Sequence, residues 1–387
     1  MQFLLSSGEA SGDTYGAQLI DALTQLAPGA RFFGMGGEKM RAAGCELLVN
    51  AKEVAVVGLV EVVTHLPHIR KQFHRLVEEA ARRRPDAAVL IDFPDFNLRL
   101  ARELHRLGIP VFYFVSPQVW AWRTGRVKQI QRYVRKMIVI FPFEREFYRR
   151  HGVNVAYVGH PLAHAAEYNV SRDQFAAQNG LSIGKPWIAL LPGSRRKEVL
   201  LNLPAMLQAA RLWDSRQGAY EFVLPVASTL DEKWLQSQLA DSGGRATKPP
   251  GPHIHLAHDA RAALLHSRAA VVASGTATVE AALAGTPFVV VYRLAPLTWL
   301  LGRRLVSLDT FAMPNLIAGR RIVPELIQGD CTASNIAREL RAIVPDGPLR
   351  QEMLRNLAEV REKLRDSGSP ETPAMRAAQE ILGEDRP

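Results

Sequence analysis

The chain of 387 residues contains only two cysteines, Cys45 and Cys331, far apart and without metal-ligand spacing. That count argues against a disulfide framework and a structural zinc, and fits a reducing cytoplasm. No apolar run reaches the ~20 residues that a membrane-spanning helix needs. The N-terminus enters a strand at Gln2 to Leu5 without the basic and apolar regions of a signal peptide. Aromatic residues make up 7% of the chain and form no repeating stripe. With no known nucleic-acid module around the basic clusters, nucleic acid is not an expected partner. The G-x-x-x-x-G-K phosphate loop and the G-x-G-x-x-G dinucleotide spacing are both missing as well.

What the chain does hold is an ordinary globular composition, 47% hydrophobic and 22% charged. Its length exceeds what one core usually serves, so two domains are expected. The formal charge is +10. It is spread over short clusters: Arg82-Arg83-Arg84, Arg123 to Lys136, Arg149-Arg150, Arg195-Arg196-Lys197, Arg303-Arg304 and Arg320-Arg321. An anionic membrane surface or a phosphorylated substrate suits such clusters. Two apolar stretches flanked by base, Val54 to His74 and Leu294 to Val306, read equally as core or as membrane and acyl contacts.

The stretch Ala269 to Arg293 organises the rest. It reads as a buried strand, a Ser274-Gly275-Thr276 loop, a short helix ended by Gly285 and Pro287, and a second buried strand. Both strands are continuous apolar runs, as in a parallel sheet covered on both faces. A helix N-terminus at a strand's carboxyl end makes an anion site. Glu280, one turn further on, suits the two hydroxyls of a ribose. The alternative is a solvated helix residue in an ordinary strand–helix–strand unit.

Strand–helix alternation runs from Phe3 to Arg150 and begins afresh at Trp187. The expected fold is therefore α/β, with two Rossmann-like domains whose parallel sheets face a central cleft, the GT-B architecture. Residues 1–160 would bind the acceptor, 161–186 would link, and 187–365 would bind the nucleotide sugar. Residues 366–387 form a C-terminal helix or tail, with the C-terminal helices able to pack back onto the first domain.

Three motifs bear on chemistry. In LPGSRRKE, Gly193 admits a close backbone approach, Ser194 can cap, and Arg195 can pair with a diphosphate. In IDFPDFN, Asp92 follows a strand's carboxyl end and is the candidate general base, whereas Asp95 reads as the N-cap of the next helix. Small residues in GEASGD (Gly8–Asp13) would let an acceptor approach the backbone. No D-x-D occurs anywhere in the chain, so the metal-clasping pair of the other large glycosyltransferase class has no candidate and no metal is expected.

In order, SGEASGD, GxGGxxM (Gly34 to Met40), VVGLVEVV, IDFPDFN, SPQVWAWR, VGHPL, LLPGSR, SGTATVEAAL and MPNLIAGRRIVPELIQ resemble the lipid-A-disaccharide synthases, a GT-B family of lipid A biosynthesis. The resemblance runs to about Gln328. It implies transfer of 2,3-diacylglucosamine from its UDP derivative to 2,3-diacylglucosamine 1-phosphate, with inversion and release of UDP. It also implies a peripheral enzyme on the inner face of the cytoplasmic membrane of a Gram-negative bacterium, and allows a homodimer. Asn315 joins the nucleotide site by its place on the family motif. Rival expectations are another UDP-sugar enzyme of the same fold, either the peptidoglycan N-acetylglucosaminyltransferase or the UDP-N-acetylglucosamine 2-epimerase, and a non-catalytic nucleotide or lipid carrier.

Overall fold

The computed structural model describes residues 1–54, 59–122, 124–164, 170–213, 219–242, 252–294, 310–365 and 370–383. The chain divides into two compact units, Met1–His164 with Leu364–Pro387, and Ala165–Lys363.

The sheet of the first unit is built from β1 (Gln2–Ser7), β2 (Arg31–Gly36), β3 (Cys45–Asn50), β4 (Ala87–Ile91), β5 (Val111–Phe114), β6 (Lys136–Val139) and β7 (Val155–Tyr157). The strands lie in the order β3-β2-β1-β4-β5-β6-β7, and every neighbouring pair is parallel. Their continuous apolar character follows from period-2 alternation between two covered faces. Leu4, Ala88, Leu90, Tyr113 and Met137 point into one core, and Phe3, Leu5, Val89, Phe112 and Ile138 into the other. The helix Pro373–Gly383 completes the second core with Ala377, Ala378 and Ile381. It is tied down by Arg376, which donates to the Tyr157 carbonyl at 3.0 Å, and by a 2.8 Å ion pair between Lys136 and Glu380.

The second unit carries β8 (Trp187–Leu191), β9 (Glu221–Pro225), β10 (Ile254–Ala257), β11 (Ala269–Ala273), β12 (Phe288–Tyr292) and β13 (Glu325–Ile327). All neighbours are parallel in the order β10-β9-β8-β11-β12-β13. In each sheet the chain winds outward one way, returns to the centre and winds out the other way. The reversal falls between β1 and β4 in the first unit and between β8 and β11 in the second. Crevices at such reversals, at the carboxyl ends of the strands, are where open α/β sheets bind ligands.

Some elements differ from the sequence reading. Much of the segment read as a linker belongs to the second unit: the helix Arg172–Asn179 starts with a Ser171 capping box and ends at Gly180 with φ +66°. There Arg172 lies over the Trp187 ring at 3.6 Å and donates to the His266 carbonyl. The helix Leu59–Arg83 carries Pro67 within it, where a proline usually ends or kinks a helix. β3, β7 and β13 lie at or near the sheet edges, and most of their residues are only partly buried.

Candidate functional site

At the reversal point of the first sheet, β4 ends at Ile91 and the backbone turns left-handed at two successive non-glycine residues, Asp92 (φ +47°) and Phe93 (φ +50°). Each such residue costs of order 1–3 kcal/mol and persists only where its surroundings hold it. The hold is visible. Asn97, fully buried, donates to the carbonyls of Asp92 (2.8 Å), Ile91 (3.2 Å) and Ser6 (3.2 Å), and accepts from the Ser6 hydroxyl at 2.7 Å. The Tyr113 phenol donates to the Asp92 carbonyl at 2.6 Å. Burial pushes the half-buried Asp92 carboxyl up to about 7, and the nearby charge of Glu9 adds to the effect. A carboxyl in that range exchanges protons readily near neutrality.

GEASGD packs against this turn. A Cβ on Gly8 would lie 2.4 Å from the Phe93 ring, and one on Gly12 2.4 Å from the Ser7 hydroxyl. Asp13 accepts from the backbone N–H groups of Gly37 (2.7 Å), Lys39 and Met40 (3.1 Å each), capping the short helix Glu38–Ala42. The space beside Gly8 and Gly12 is thus taken by the protein's own side chains, while Ala10 and Ser11 of the same loop are exposed.

A second carboxyl went unread in the sequence. Glu144 is 1% exposed at the start of the helix Pro142–Arg150 and accepts from the Trp120 indole at 3.1 Å and from the Phe141 N–H at 3.3 Å. Burial pushes it up to about 8 despite these donors and the Ser116 hydroxyl. Little in the sequence signals it, because the N-cap is Phe141, which lacks the Ser or Thr oxygen of a capping box, and only the reach of Glu144 back to the Phe141 N–H remains.

In the second unit, the LPGSR loop follows β8 and the Ser274-Gly275-Thr276 loop follows β11, so the two lie on either side of the reversal. Gly193 adopts φ +124°, and a Cβ there would meet Glu198 at 2.6 Å. The loop already holds an anionic group: the Glu198 carboxylate accepts from the N–H groups of Ser194 (3.1 Å) and Arg195 (3.4 Å) and from the Arg195 guanidinium (3.3 Å). The Arg195 side chain is 64% exposed. Gly275 (φ +145°) is the N-cap of the helix Thr276–Ala284 and brings no side chain to its N-terminal N–H groups. Glu280 sits half-buried one turn in. Burial raises its carboxyl above the usual range, partly offset by Arg261. Tyr292 closes β12 nearby, its phenol raised by burial and by the Glu198 charge.

These paired sites sit on a chain that matches the lipid-A-disaccharide synthetase family over residues 3–376. The lipid-A-disaccharide synthase of Koribacter versatilis (strain Ellin345) is 56% identical over 99% of this chain and 98% of its own length. The chain belongs to the lipid-A-disaccharide synthase family. The synthase of Acidobacterium capsulatum is 52% identical over 94% of the chain and 92% of its own length. Among solved structures, the glycotransferase of kitacinnamycin aligns with TM-score 0.65 at 14% identity, over 100% of this chain and 99% of that one. The UDP-GlcNAc 2-epimerase of Neisseria meningitidis aligns with TM-score 0.61 at 12% identity, over 99% of both. The fold is thus GT-B-like, and the chain is a glycosyltransferase of lipid A biosynthesis.

Within this synthase-family chain, two expected residue roles need correction. Asp95 does not cap its helix: Phe93 holds the N-cap position without a side-chain bond, and Asp95, exposed in the first turn, pairs with Arg126. Asn315 is 0% exposed and its amide is consumed internally. It accepts from the N–H groups of Ile322 (2.7 Å) and Val323 (3.0 Å) and donates to the Val323 carbonyl (3.0 Å) and Glu325 (2.6 Å). Glu325 in turn accepts from the N–H groups of Phe311 (2.9 Å) and Ala312 (3.2 Å). Asn315 therefore braces the loop that the Ser274 hydroxyl touches at the Phe311 carbonyl (3.4 Å), and presents no free group to a nucleotide. His160 of VGHPL is likewise internal: burial drives it down to about 3, so it is neutral and accepts from the Leu162 N–H at 3.2 Å. Of the two base-flanked apolar stretches, Val54 lies in the first unit's core and Ile69 and Phe73 pack against it, Leu66 is exposed, and the side chains of 55–65 and all of 295–309 are outside the described residues. Among the described residues no helix is long and apolar enough to cross a membrane, and both cysteines are free and buried.

Proposed function

We propose that this protein transfers the 2,3-diacylglucosaminyl group of UDP-2,3-diacylglucosamine to the 6-hydroxyl of 2,3-diacylglucosamine 1-phosphate, at the inner face of the cytoplasmic membrane. The observation carrying this reading is the conjunction of a base poised near neutrality at one sheet's reversal with anion-holding loops at the other's. Asp92 accepts the proton of the acceptor 6-hydroxyl as that oxygen attacks the anomeric carbon. The bond from that carbon to the UDP oxygen breaks on the opposite face, so configuration inverts in one step. Charge builds on the departing diphosphate. The Arg195 guanidinium and the N–H groups of Ser194 and of the Thr276 helix start neutralise it, a stabilisation that grows toward the transition state. Glu280, with a half-buried carboxyl one turn beyond those N–H groups, receives the ribose hydroxyls. The synthase relatives support the substrate pair, and the basic charge supports the anionic surface.

Incubating the protein with both lipid substrates should yield a disaccharide 1-phosphate and free UDP in equal amounts. UDP released without disaccharide would overturn the reading. Arg195→Ala should weaken UDP binding by about 1.5–3 kcal/mol, the scale of a charge-assisted hydrogen bond. Calorimetry showing unchanged UDP affinity removes Arg195 from the site. Because Arg195 and loop N–H groups take the place of a metal-clasping carboxylate pair, turnover should survive EDTA. Activity lost in EDTA and restored by magnesium would contradict the metal-free mechanism.

A further inference from the structure

Beside the Asp92 turn lies a feature that the transfer chemistry leaves unused. Trp120, Phe143 and Phe141 are each only partly buried, and they come from the segments that follow the carboxyl ends of β5 and β6. The rings form a row rather than a knot. Trp120 meets Phe143 edge-on at 5.0 Å, Phe143 stacks with Phe141 at 5.8 Å and 16°, and Phe141 meets His160 at 5.1 Å. The row is fixed from beneath. Glu144, buried, holds the Trp120 indole N–H and the Phe141 backbone N–H, and Ser116 bonds the Tyr148 hydroxyl at 2.8 Å. Val115, just before this loop, sits at φ +64°, a strained conformation for a β-branched residue. The row thus runs outward from the core, where Phe141 packs beside buried His160, to the half-buried rings of Phe143 and Trp120.

Position and shape select an occupant. β6 lies two strands from β4, which is ~10 Å from the Asp92 turn at the usual strand spacing. In 2,3-diacylglucosamine the acylated carbons occupy the edge of the ring away from the 6-hydroxyl. An acceptor whose 6-hydroxyl meets Asp92 and whose ring points toward β6 therefore starts its acyl chains about where the aromatic row begins. The row is longer than one sugar ring and its three side chains are aromatic, which suits a methylene chain.

We propose that Trp120, Phe143 and Phe141 form a subsite for an acyl chain of the acceptor, with Glu144 as the positioning residue that sets the indole. The inference rests on the acceptor class argued above. The test compares acceptors carrying myristoyl or butyryl chains. Phe143→Leu and Trp120→Phe, which keep apolar volume, should raise KM for the myristoyl acceptor by ~10-fold, the scale of a few lost methylene contacts. KM for the butyryl acceptor, kcat and UDP affinity should change little. Equal shifts for both acceptors, or none for either in a folded variant, would overturn the subsite. Glu144→Gln should retain the myristoyl preference, because the amide oxygen still accepts from Trp120, whereas Glu144→Ala should lose it. A measurement on the unaltered chain stands apart from turnover: a myristoyl acceptor with a diazirine at the chain end should label the row between Ser116 and Phe147. Labelling confined to other segments refutes the proposal even if transfer is normal, and absence of transfer by the unaltered chain refutes the acceptor assignment instead.

Discussion

Asp92→Asn is expected to slow turnover by ~10²–10⁴, the contribution of a positioned general base, while UDP binding stays near normal. The amide keeps the shape and the hydrogen bonds but accepts no proton. Asp95→Asn is the matched control. It sits three residues away and removes the charge of a largely exposed carboxylate that pairs with Arg126, so its effect on turnover should be small. Near-normal turnover in Asp92→Asn together with loss in Asp95→Asn would move the base to the other carboxylate. The pH profile adds a second readout. Asp92 acts ionised and its carboxyl lies at about 7, so kcat/KM should fall with a one-proton slope below that pH. Removing the Glu9 charge by Glu9→Gln favours the ionised form and should slide the limb toward lower pH. A limb that stays in place would show that Glu9 does not act on Asp92. Folding follows the opposite sign: with the carboxyl raised from its ordinary 3.8 to about 7, the fold loses stability as pH rises through that window, and Asp92→Asn should flatten that slope.

Asn315→Ala should cost about 3–5 kcal/mol of stability in the second unit. It strands two buried N–H groups, a carbonyl and part of the Glu325 carboxylate, each worth roughly 1–3 kcal/mol when left unmade, with partial relaxation. Denaturant unfolding measures the loss directly. UDP affinity should fall only as far as the loop at Phe311 loosens. The two possible roles of this residue predict opposite patterns. A direct nucleotide contact would leave unfolding unchanged and reduce UDP affinity strongly, and that result would return Asn315 to the ligand surface.

Asn315 also shows where reading the chain stops short. Its motif marks a position of importance but not which atoms it serves, because the partners at Ile322, Val323 and Glu325 are set by a tight turn visible only in three dimensions. The same holds for Asp95, whose neighbour Phe93 takes the N-cap position once the backbone turns left-handed. Glu144 reads as an ordinary first-turn helix residue, and its partner Trp120 comes from a different segment. β3, β7 and β13 were hidden because partly buried strands dilute the apolar signal.

Local patterns, by contrast, sufficed wherever the chemistry is contiguous. Runs such as Ala87–Ile91 and Trp187–Leu191 are apolar at every position, as a parallel sheet covered on both faces requires. Gly285 ends its helix with φ +71°, as a left-handed cap followed by proline demands. The two Rossmann-like sheets, Asp92 past a strand's carboxyl end and the loops at Gly193 and Gly275 were therefore legible in the linear chain. Long-range packing settled what those residues can do. Burial among β4, β5 and their loops raises the Asp92 carboxyl to about 7, and Asn97 and Tyr113 hold its strained backbone from beyond its own strand. Desolvation and hydrogen bonding depend on neighbours distant in sequence, so a carboxylate's address can be read from the chain while its proton affinity comes from the fold.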